Sequence, residues 1–158
     1  MSDVEIAKLS PDDWPVFRDL RLRALTEAPD AFGSRLADWA EAPVAAWRTR
    51  LEQVHLNLVA RRGDEHVGMA SGLLDGDHVE LISMWVDPAV RGSGVAAALL
   101  GAVVRWAEGL DRSTYLMVRS DNARAVAAYE RAGFVDLGVP EGHRGPPENR
   151  MVHRRVGR

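Results

Sequence analysis

The sequence contains no cysteine among its 158 residues. This absence excludes a disulfide framework, a thiolate zinc site and a covalent mechanism through a cysteine nucleophile. An excess of positive charge is missing as well, since 20 Lys and Arg residues stand against 23 Asp and Glu residues, for a formal net charge of −3. A general nucleic-acid binder would be basic, so we expect no nucleic-acid partner.

Long hydrophobic runs are also missing. No apolar stretch approaches the ~20 residues of a membrane-spanning helix, and the first residues lack the basic and apolar regions of a signal peptide. We therefore expect a cytoplasmic protein with no membrane partner. The hydrophobic content of 46% and the charged content of 27% are typical of a soluble globular protein. The length fits a single domain over residues 1–158.

The most informative stretch runs from residue 80 to residue 96. The apolar run 81–86 predicts a strand, and Pro88 ends it because proline has no backbone N–H to donate to a sheet. The glycine-rich residues 91–94 then open a segment with helical spacing. The first N–H groups of a helix have no partner inside it, and glycines let the backbone approach a phosphate closely. The stretch therefore predicts a site for a phosphate-bearing ligand at the end of a strand.

Two other interpretations of these glycines stay open at this point. Residues 92–97 fit G-x-G-x-x-A, the pattern of dinucleotide-binding proteins, which would make the chain a nicotinamide-dinucleotide enzyme. The context is poor, because that pattern follows its strand directly, whereas residues 87–91 with their proline separate the strand from the glycine here. The segment could also be a plain glycine-rich helix start with no ligand.

Hydrophobic periodicity predicts the elements along the rest of the chain. We expect helices over residues 10–25, 35–40, 43–53, 92–108 and 123–132. The predicted strands cover residues 4–8, 56–60, 66–74, 78–86, 114–118, 134–137 and 150–156, and the last of these is a candidate edge strand. The order βααβββαβαββ predicts an α/β fold with one mixed central sheet and flanking helices.

Two blocks of the sequence resemble the GNAT N-acetyltransferases. The segment 86–96 is similar to the family's acetyl-CoA motif, R/Q-x-x-G-x-G/A after a strand, with Arg91, Gly94 and Ala96 at its fixed positions. The segment 122–134 is similar to the family pattern N-x-x-A-x-x-x-Y-E-x-x-G-F. Two blocks in the expected order are more specific than one glycine loop, and the resemblance extends over residues 56–138.

The resemblance implies a GNAT-like fold in which two neighbouring parallel strands, 78–86 and 114–118, splay apart around acetyl-CoA as cosubstrate. The pantetheine arm would pair with the central strand like an extra strand, and N–H groups of the glycine loop would bind the pyrophosphate. Asn122 would bind pantetheine or cap its helix. The implied cofactor-binding residues are Met84, Trp85, Val86, Arg91, Gly92, Ser93, Gly94, Val95, Ala96, Asn122 and Tyr129.

The resemblance also implies the catalytic pair. Tyr129 matches the family tyrosine near the coenzyme sulfur and would act as the acid, because a phenol with a pKa of about 10 is a stable proton donor at neutral pH. Glu80 starts the central strand, where many family members carry a glutamate that deprotonates the amine, sometimes through water. His78 and His143 are rival bases because histidine titrates near neutrality.

The acceptor pocket is the part of the site about which the sequence says least. By the family layout, its walls come from residues 27–41 and 139–149. The expected acceptor-binding residues are Phe32, Trp39 and Glu80, beside Trp85 in an apolar or cation-holding surface. Asp30 and Glu41 could attract a cationic amine. We expect no metal site.

These residues predict an acetyl-CoA-dependent N-acetyltransferase that transfers acetyl to a primary amine by direct attack in a ternary complex. The alternative is a catalytically degenerate acyl-CoA-binding regulatory or interaction module, which the uncertain base keeps open. The partners are then acetyl-CoA and an amine-bearing acceptor. Because members of the family are often dimeric, a homodimer is also open.

Overall fold

A seven-stranded mixed sheet forms the centre of the molecule, for which a computed structural model describes residues 4–29 and 36–154. The strands are β1 (Val4–Lys8), β2 (Leu56–Arg62), β3 (Glu65–Asp75), β4 (His78–Val86), β5 (Ser113–Arg119), β6 (Val135–Asp136) and β7 (Glu148–His153). Over these ranges the helices are α1 (Trp14–Glu27), α2 (Leu36–Ala40), α3 (Val44–Gln53), α4 (Val95–Gly109) and α5 (Ala123–Arg131). The prediction of a mixed α/β sheet with flanking helices is confirmed.

The strand order in the sheet is β1-β2-β3-β4-β5-β7-β6. The first four strands are antiparallel neighbours, whereas β4 and β5 are parallel and connected through α4. The prediction of an edge position for the last strand is wrong, because β7 lies between β5 and β6. The physical reason is that β7 pairs along its whole length with β5 and by its other edge with the two residues of β6, so β6 takes the edge position.

Two hydrophobic layers cover the two faces of the sheet. On one face, α1 and α3 bury Phe17 and Trp47 against Trp85 of β4. On the other face, α4 packs residues such as Leu99 against β2, β3, β4 and β5, together with the partly buried residues of α5. The longest of these helices, α4, has 15 residues, and no helix in the described ranges combines the length and the hydropathy needed to cross a membrane.

Helix α4 begins later than its sequence predicts. The prediction places the start at Gly92, but the helix begins at Val95 with Gly94 as its N-cap residue. Gly92 and Gly94 have φ angles of +83° and +92°, which are left-handed conformations that glycine adopts and that cannot continue a right-handed helix. The two glycines therefore form a separate loop in front of the helix.

Candidate active site

Strands β4 and β5 form the centre of the candidate site because they pair over only part of their length. Their ladder joins residues 78–80 to residues 113–115, whereas β4 continues to Val86 and β5 to Arg119. The outer edges of the two strands pair with β3 and β7. Within the described sheet, the facing edges beyond Glu80 and Tyr115 therefore carry backbone groups that no neighbouring strand pairs. This opening is the splay that the resemblance implies.

A β-bulge reshapes β4 inside the opening. The register with β3 shifts by one residue near Ser83, and Ser83 has a φ angle of +54°, which is uncommon for a residue other than glycine. Before the bulge the odd-numbered residues of β4 face α4 and α5, and after it the even-numbered residues Met84 and Val86 do. Because a bulge re-aims side chains and interrupts a ladder, both edges of β4 are irregular at this point.

The loop between β4 and α4 presents a row of outward-facing N–H groups. The N–H of Ser93 donates to the carbonyl oxygen of Val90 at 3.3 Å, but the described residues offer no hydrogen-bond acceptor to the N–H groups of residues 94–96. A Cβ atom added at Gly92 or Gly94 would meet no atom within 4 Å, so the loop faces open space. Unpaired N–H groups at a helix N-terminus bind anions, and this loop therefore fits a phosphate group.

Arg91 lies at the base of this loop and is held by its own neighbours. Its Nε donates to the carbonyl oxygen of Val86 at 3.1 Å, and its guanidinium forms an ion pair with Glu27 at the end of α1. The Glu27 carboxylate also accepts a hydrogen bond from the indole N–H of Trp85 at 3.3 Å. The carboxylate thus ties α1, β4 and the glycine loop together, and a phosphate that binds Arg91 competes with it.

Tyr129 lies in α5, on the α4 side of the sheet, and Asn122 is the N-cap residue of that helix. The Tyr129 ring packs edge-on against Phe134 with centroids 5.9 Å apart, and burial raises the pKa of its hydroxyl to about 12. The phenol therefore stays protonated at neutral pH. The Oδ1 atom of Asn122 accepts a hydrogen bond from the N–H of Ala125 at 3.2 Å, so Asn122 caps the helix that carries Tyr129.

Glu80 occupies the opposite face, at the last position where β4 and β5 pair. Its neighbours Val79 and Leu81 face α4, and side chains alternate along a strand, so the carboxylate points to the α1 side. Burial raises the pKa of Glu80, and the neighbouring Tyr115 hydroxyl opposes this rise. In this structure the one proton of that hydroxyl is donated to the Asp75 carboxylate at 2.6 Å.

The two rival histidines lie at the border of this group. The His78 ring packs against the ring of Tyr115 with centroids 5.8 Å apart. His143 lies in the loop before β7, where its Nε2 is 2.9 Å from the carbonyl oxygen of Pro146 and 3.7 Å from a carboxylate oxygen of Glu148. Of the three candidate bases, Glu80 is the one at the last paired position of β4, directly beside the opening.

The residues expected in the acceptor pocket are only partly placed. Phe32 and Asp30 lie outside the described residues. Trp39 of α2 is half-buried, with the guanidinium of Arg21 at 6.0 Å from its ring centroid. Glu41 follows α2 and is exposed. The structure thus places Trp39 next to α1, and the roles of Trp39 and Glu41 in binding the acceptor stay predictions.

Sequence reasoning missed two arginines on the α1 side of the sheet, the buried Arg21 and the half-buried Arg50. Arg21 and Arg50 both donate to the hydroxyl of Ser83, at 3.2 and 3.0 Å. A signal was present, because Arg21 lies four residues after Phe17 and Arg50 three residues after Trp47. These spacings place both arginines on the apolar faces of their helices, where a charge is unusual.

The family comparison agrees with this geometry. A family model described as the acetyltransferase (GNAT) family matches residues 14–134. That match includes the opening between β4 and β5, the glycine loop and α5. It covers more than half of the chain, which confirms the resemblance carried by the two sequence blocks.

Individual relatives show the same family and fold. The chain is 35% identical over 102 residues to the N-alpha-acetyltransferase RimI of Mycobacterium tuberculosis, a match over 61% of this chain and 63% of that relative. It spans 28% and 40% of the length of two further curated relatives. A GNAT-family acetyltransferase from Streptococcus pneumoniae superposes with a TM-score of 0.79 at 19% identity, over 98% of this chain and 100% of that one.

A second solved structure includes the cofactor. The structure from Salmonella typhimurium contains acetyl-CoA as its cofactor and superposes with a TM-score of 0.73 at 21% identity, over 96% of this chain and 93% of that one. At this identity the likeness shows a common fold.

Proposed function

The chain belongs to the GNAT acetyltransferase family, and from that premise we propose that it transfers an acetyl group from acetyl-CoA to a primary amine in a ternary complex. The observation that carries this proposal is the partial pairing of β4 with β5. It leaves an unpaired strand edge beside a loop of unpaired N–H groups. An extended chain that ends in a pyrophosphate matches both features.

The residues of this chain fit acetyl-CoA at three points. The N–H groups of residues 94–96 would bind the pyrophosphate, and Arg91 would add a positive charge. The free edge of β4 over residues 84–86 would pair with the pantetheine amides, and an N–H near the bulge would hold the thioester carbonyl. The Nδ2 of Asn122 could bind the arm while its Oδ1 caps α5. Acetyl-CoA supplies the activated acetyl group.

Glu80 is the proposed base. Amines must lose a proton to attack a thioester, and a carboxylate with a raised pKa accepts that proton more readily than an ordinary one. Glu80 has such a pKa and faces the α1 side of the opening. The proton then moves to the Glu80 carboxylate, directly or through water, while the amine nitrogen bonds to the acetyl carbon.

Tyr129 is the proposed acid on the other face. The bond between the acetyl carbon and sulfur breaks as the new amide forms, and the departing thiolate takes a proton from the Tyr129 hydroxyl. Its raised pKa of about 12 keeps the phenol protonated at neutral pH, so the hydroxyl is available as a hydrogen-bond donor when negative charge develops on the departing sulfur. Because a thiolate with an ordinary thiol pKa near 8.5 is a weaker base than the phenolate, the phenolate formed on Tyr129 immediately takes a proton back from water, and the net result is a protonated thiol and a protonated Tyr129.

The test measures binding and turnover separately. We expect a rise in unfolding temperature with acetyl-CoA and with CoA, but not with NAD(H) or NADP(H), and release of free thiol that depends on an added amine. Glu80→Gln should keep the shift and lose most of the release, whereas Glu108→Gln, an exposed position at the end of α4, should keep both. Failure of acetyl-CoA and CoA to bind would refute the proposal, and binding without transfer would favour the regulatory alternative.

A further inference from the structure

The hydroxyl of Tyr115 lies between two carboxylates on the face of the sheet opposite α4. Glu80 and Tyr115 are direct partners in the ladder between β4 and β5. Asp75 of β3 is the partner of His78, two residues before Glu80. Partners in a ladder project from the same face of a sheet, and so do residues two apart along a strand. Three neighbouring strands therefore bring Glu80, Tyr115 and Asp75 together as a row of side chains.

The single proton of the middle group is directed at Asp75. The Tyr115 hydroxyl donates to the Asp75 carboxylate at 2.6 Å, and a phenol has only one proton to donate. Its oxygen can still accept a hydrogen bond from Glu80 once that carboxyl is protonated. Burial and the hydrogen bond to Asp75 raise the pKa of Tyr115, so the phenol stays neutral. The hydroxyl is thus oriented to receive a proton from Glu80 and to pass one to Asp75.

The row runs from the opening to the protein surface. Glu80 is half-buried beside the opening, Tyr115 is buried, and Asp75 at the end of β3 is exposed. Neighbours hold the Tyr115 ring in place, since the His78 ring packs against it with centroids 5.8 Å apart and the guanidinium carbon of Arg150 lies 4.1 Å from its centroid. A fixed hydroxyl between a half-buried base and an exposed carboxylate suits the passage of a proton.

Further charged groups near Glu80 come from β7 and from two helices. Glu148 raises the pKa of Glu80, and Arg150 lowers it. Arg21 of α1 and Arg50 of α3 reach β4 three residues further along the strand. All of these groups stay in place when a member of the row is substituted, so a change in pH dependence can then be assigned to the row.

We propose that Tyr115 and Asp75 form a proton exit for the base Glu80. Once Glu80 has taken the proton of the amine, its O–H bond breaks as a new O–H bond forms on the Tyr115 oxygen. The original O–H bond of Tyr115 breaks as one forms on Asp75, and water removes the proton from this exposed carboxyl. Glu80 is again a carboxylate, and rotation of the neutral Tyr115 hydroxyl restores its hydrogen bond. This inference rests on the proposed function and adds two residues to the same site.

Two isosteric substitutions test the exit. Tyr115→Phe keeps the ring between His78 and Arg150 but removes the hydroxyl, and Asp75→Asn keeps an oxygen that accepts the hydrogen bond but cannot take the proton. Measured well above the inflection of Glu80, kcat should fall about tenfold or more in each variant, with the acetyl-CoA binding midpoint unchanged. Native kcat in both variants, or in Asp75→Asn alone, would overturn the exit.

The pH profile separates this role from damage to packing. The Tyr115 hydroxyl lowers the pKa of Glu80 and the Asp75 charge raises it. The inflection of turnover should therefore move to higher pH in Tyr115→Phe and to lower pH in Asp75→Asn. Shifts in the same direction would refute the arrangement of the row. Asp77→Asn is the matched control, because Asp77 is an exposed residue of the adjoining turn and should leave both kcat and the inflection unchanged.

A small external base gives a second readout. Imidazole can take the proton from Glu80 when the internal route is missing, so it should restore part of the lost kcat in Tyr115→Phe or Asp75→Asn and leave the native rate unchanged. Asp75→Glu should keep part of the native rate because it retains a carboxylate. A loss of kcat that imidazole restores in neither variant would overturn the exit.

A titration distinguishes the failure of this inference from the failure of the proposed function. If no amine releases thiol in the native protein, the proposed function fails, and carbon-13 NMR titration of the Glu80 and Asp75 carboxyl groups decides the row. Groups linked through Tyr115 titrate as a coupled pair, each signal showing both steps, and Tyr115→Phe should reduce each to one step. Independent titration in the native protein would overturn the link. Native turnover with native rates in both variants would refute the exit alone.

Discussion

Gly68 in β3 controls how closely α4 approaches the sheet. A Cβ atom at this position would lie 3.0 Å from the Cδ1 of Leu99, 3.0 Å from the carbonyl oxygen of Trp85 and 3.3 Å from a Cγ of Val95. Gly68 also pairs with Val86 at the end of β4. Replacing it by alanine therefore pushes the first turns of α4 away from the strand that carries the opening.

The size of the effect follows from these distances. Two of the three contacts are to side chains of α4 that can shift, but the third is to the backbone of β4, so the strain is not relieved by rotating a side chain. Overpacking of this kind costs about 1–3 kcal/mol, partly offset by the ~0.4–1 kcal/mol that alanine contributes by restricting the unfolded chain. The net cost of up to ~2.6 kcal/mol corresponds, at about 2–4 °C per kcal/mol for a chain of this length, to a fall in unfolding temperature of up to about 10 °C.

The assay combines thermal unfolding with titration of acetyl-CoA. Gly68→Ala should lower the unfolding temperature and weaken acetyl-CoA binding, because the N–H groups of residues 94–96 move with the start of α4. Gly101→Ala is the matched control on the same helix, since only the flexible end of Arg105 lies near its added Cβ. That change should stabilise the protein by about 0.5–1 kcal/mol. If Gly68→Ala has native stability and native affinity for acetyl-CoA, α4 does not approach β3 closely enough at Gly68 for a Cβ atom to matter.

Three further predictions concern the active site. Tyr129→Phe should lower kcat strongly while acetyl-CoA binding stays within about twofold, and unchanged turnover would remove Tyr129 from the mechanism. Turnover should rise with pH through an inflection above the ~4.3 of an ordinary glutamate, because burial raises the pKa of Glu80. Since the pKa of Glu80 is higher in the folded state than in the unfolded state, its deprotonated carboxylate opposes folding at pH 7. Glu80→Gln should therefore remove the inflection without lowering the unfolding temperature. Glu27→Gln should tighten acetyl-CoA binding by up to about fivefold, as expected when Arg91 loses a partly exposed ion pair worth at most ~1 kcal/mol, and weaker binding would show instead that Glu27 positions Arg91.

Local sequence signals predicted most of the framework. The bounds of β1 and β4 agree with the predicted strands, because alternation and turn residues such as Pro88 act within a few residues. The placement of Tyr129 on a helix capped by Asn122 also follows from a local pattern. These features depend on residues that are close together in the chain, so they can be predicted from short segments of the sequence.

Features that depend on distant partners could not be predicted in the same way. The bulge residue Ser83 accepts hydrogen bonds from α1 and α3, and nothing in the apolar run around it indicates an extra residue. The position of β7 inside the sheet depends on its pairing with β5, which lies far from it along the chain. The convergence of Arg21 and Arg50 is likewise a product of tertiary packing.

The three-residue ladder between β4 and β5 affects which parts of the protein open locally as a unit. Amide hydrogen exchange reports the units in which a protein opens, and boundaries between units fall where few backbone hydrogen bonds cross. We expect β1–β4 and β5–β7 to exchange as two units of different protection, with α4 packed across the boundary. A ligand arm that pairs with the free edge of β4 would add the missing bonds, so binding should make the two halves exchange as one.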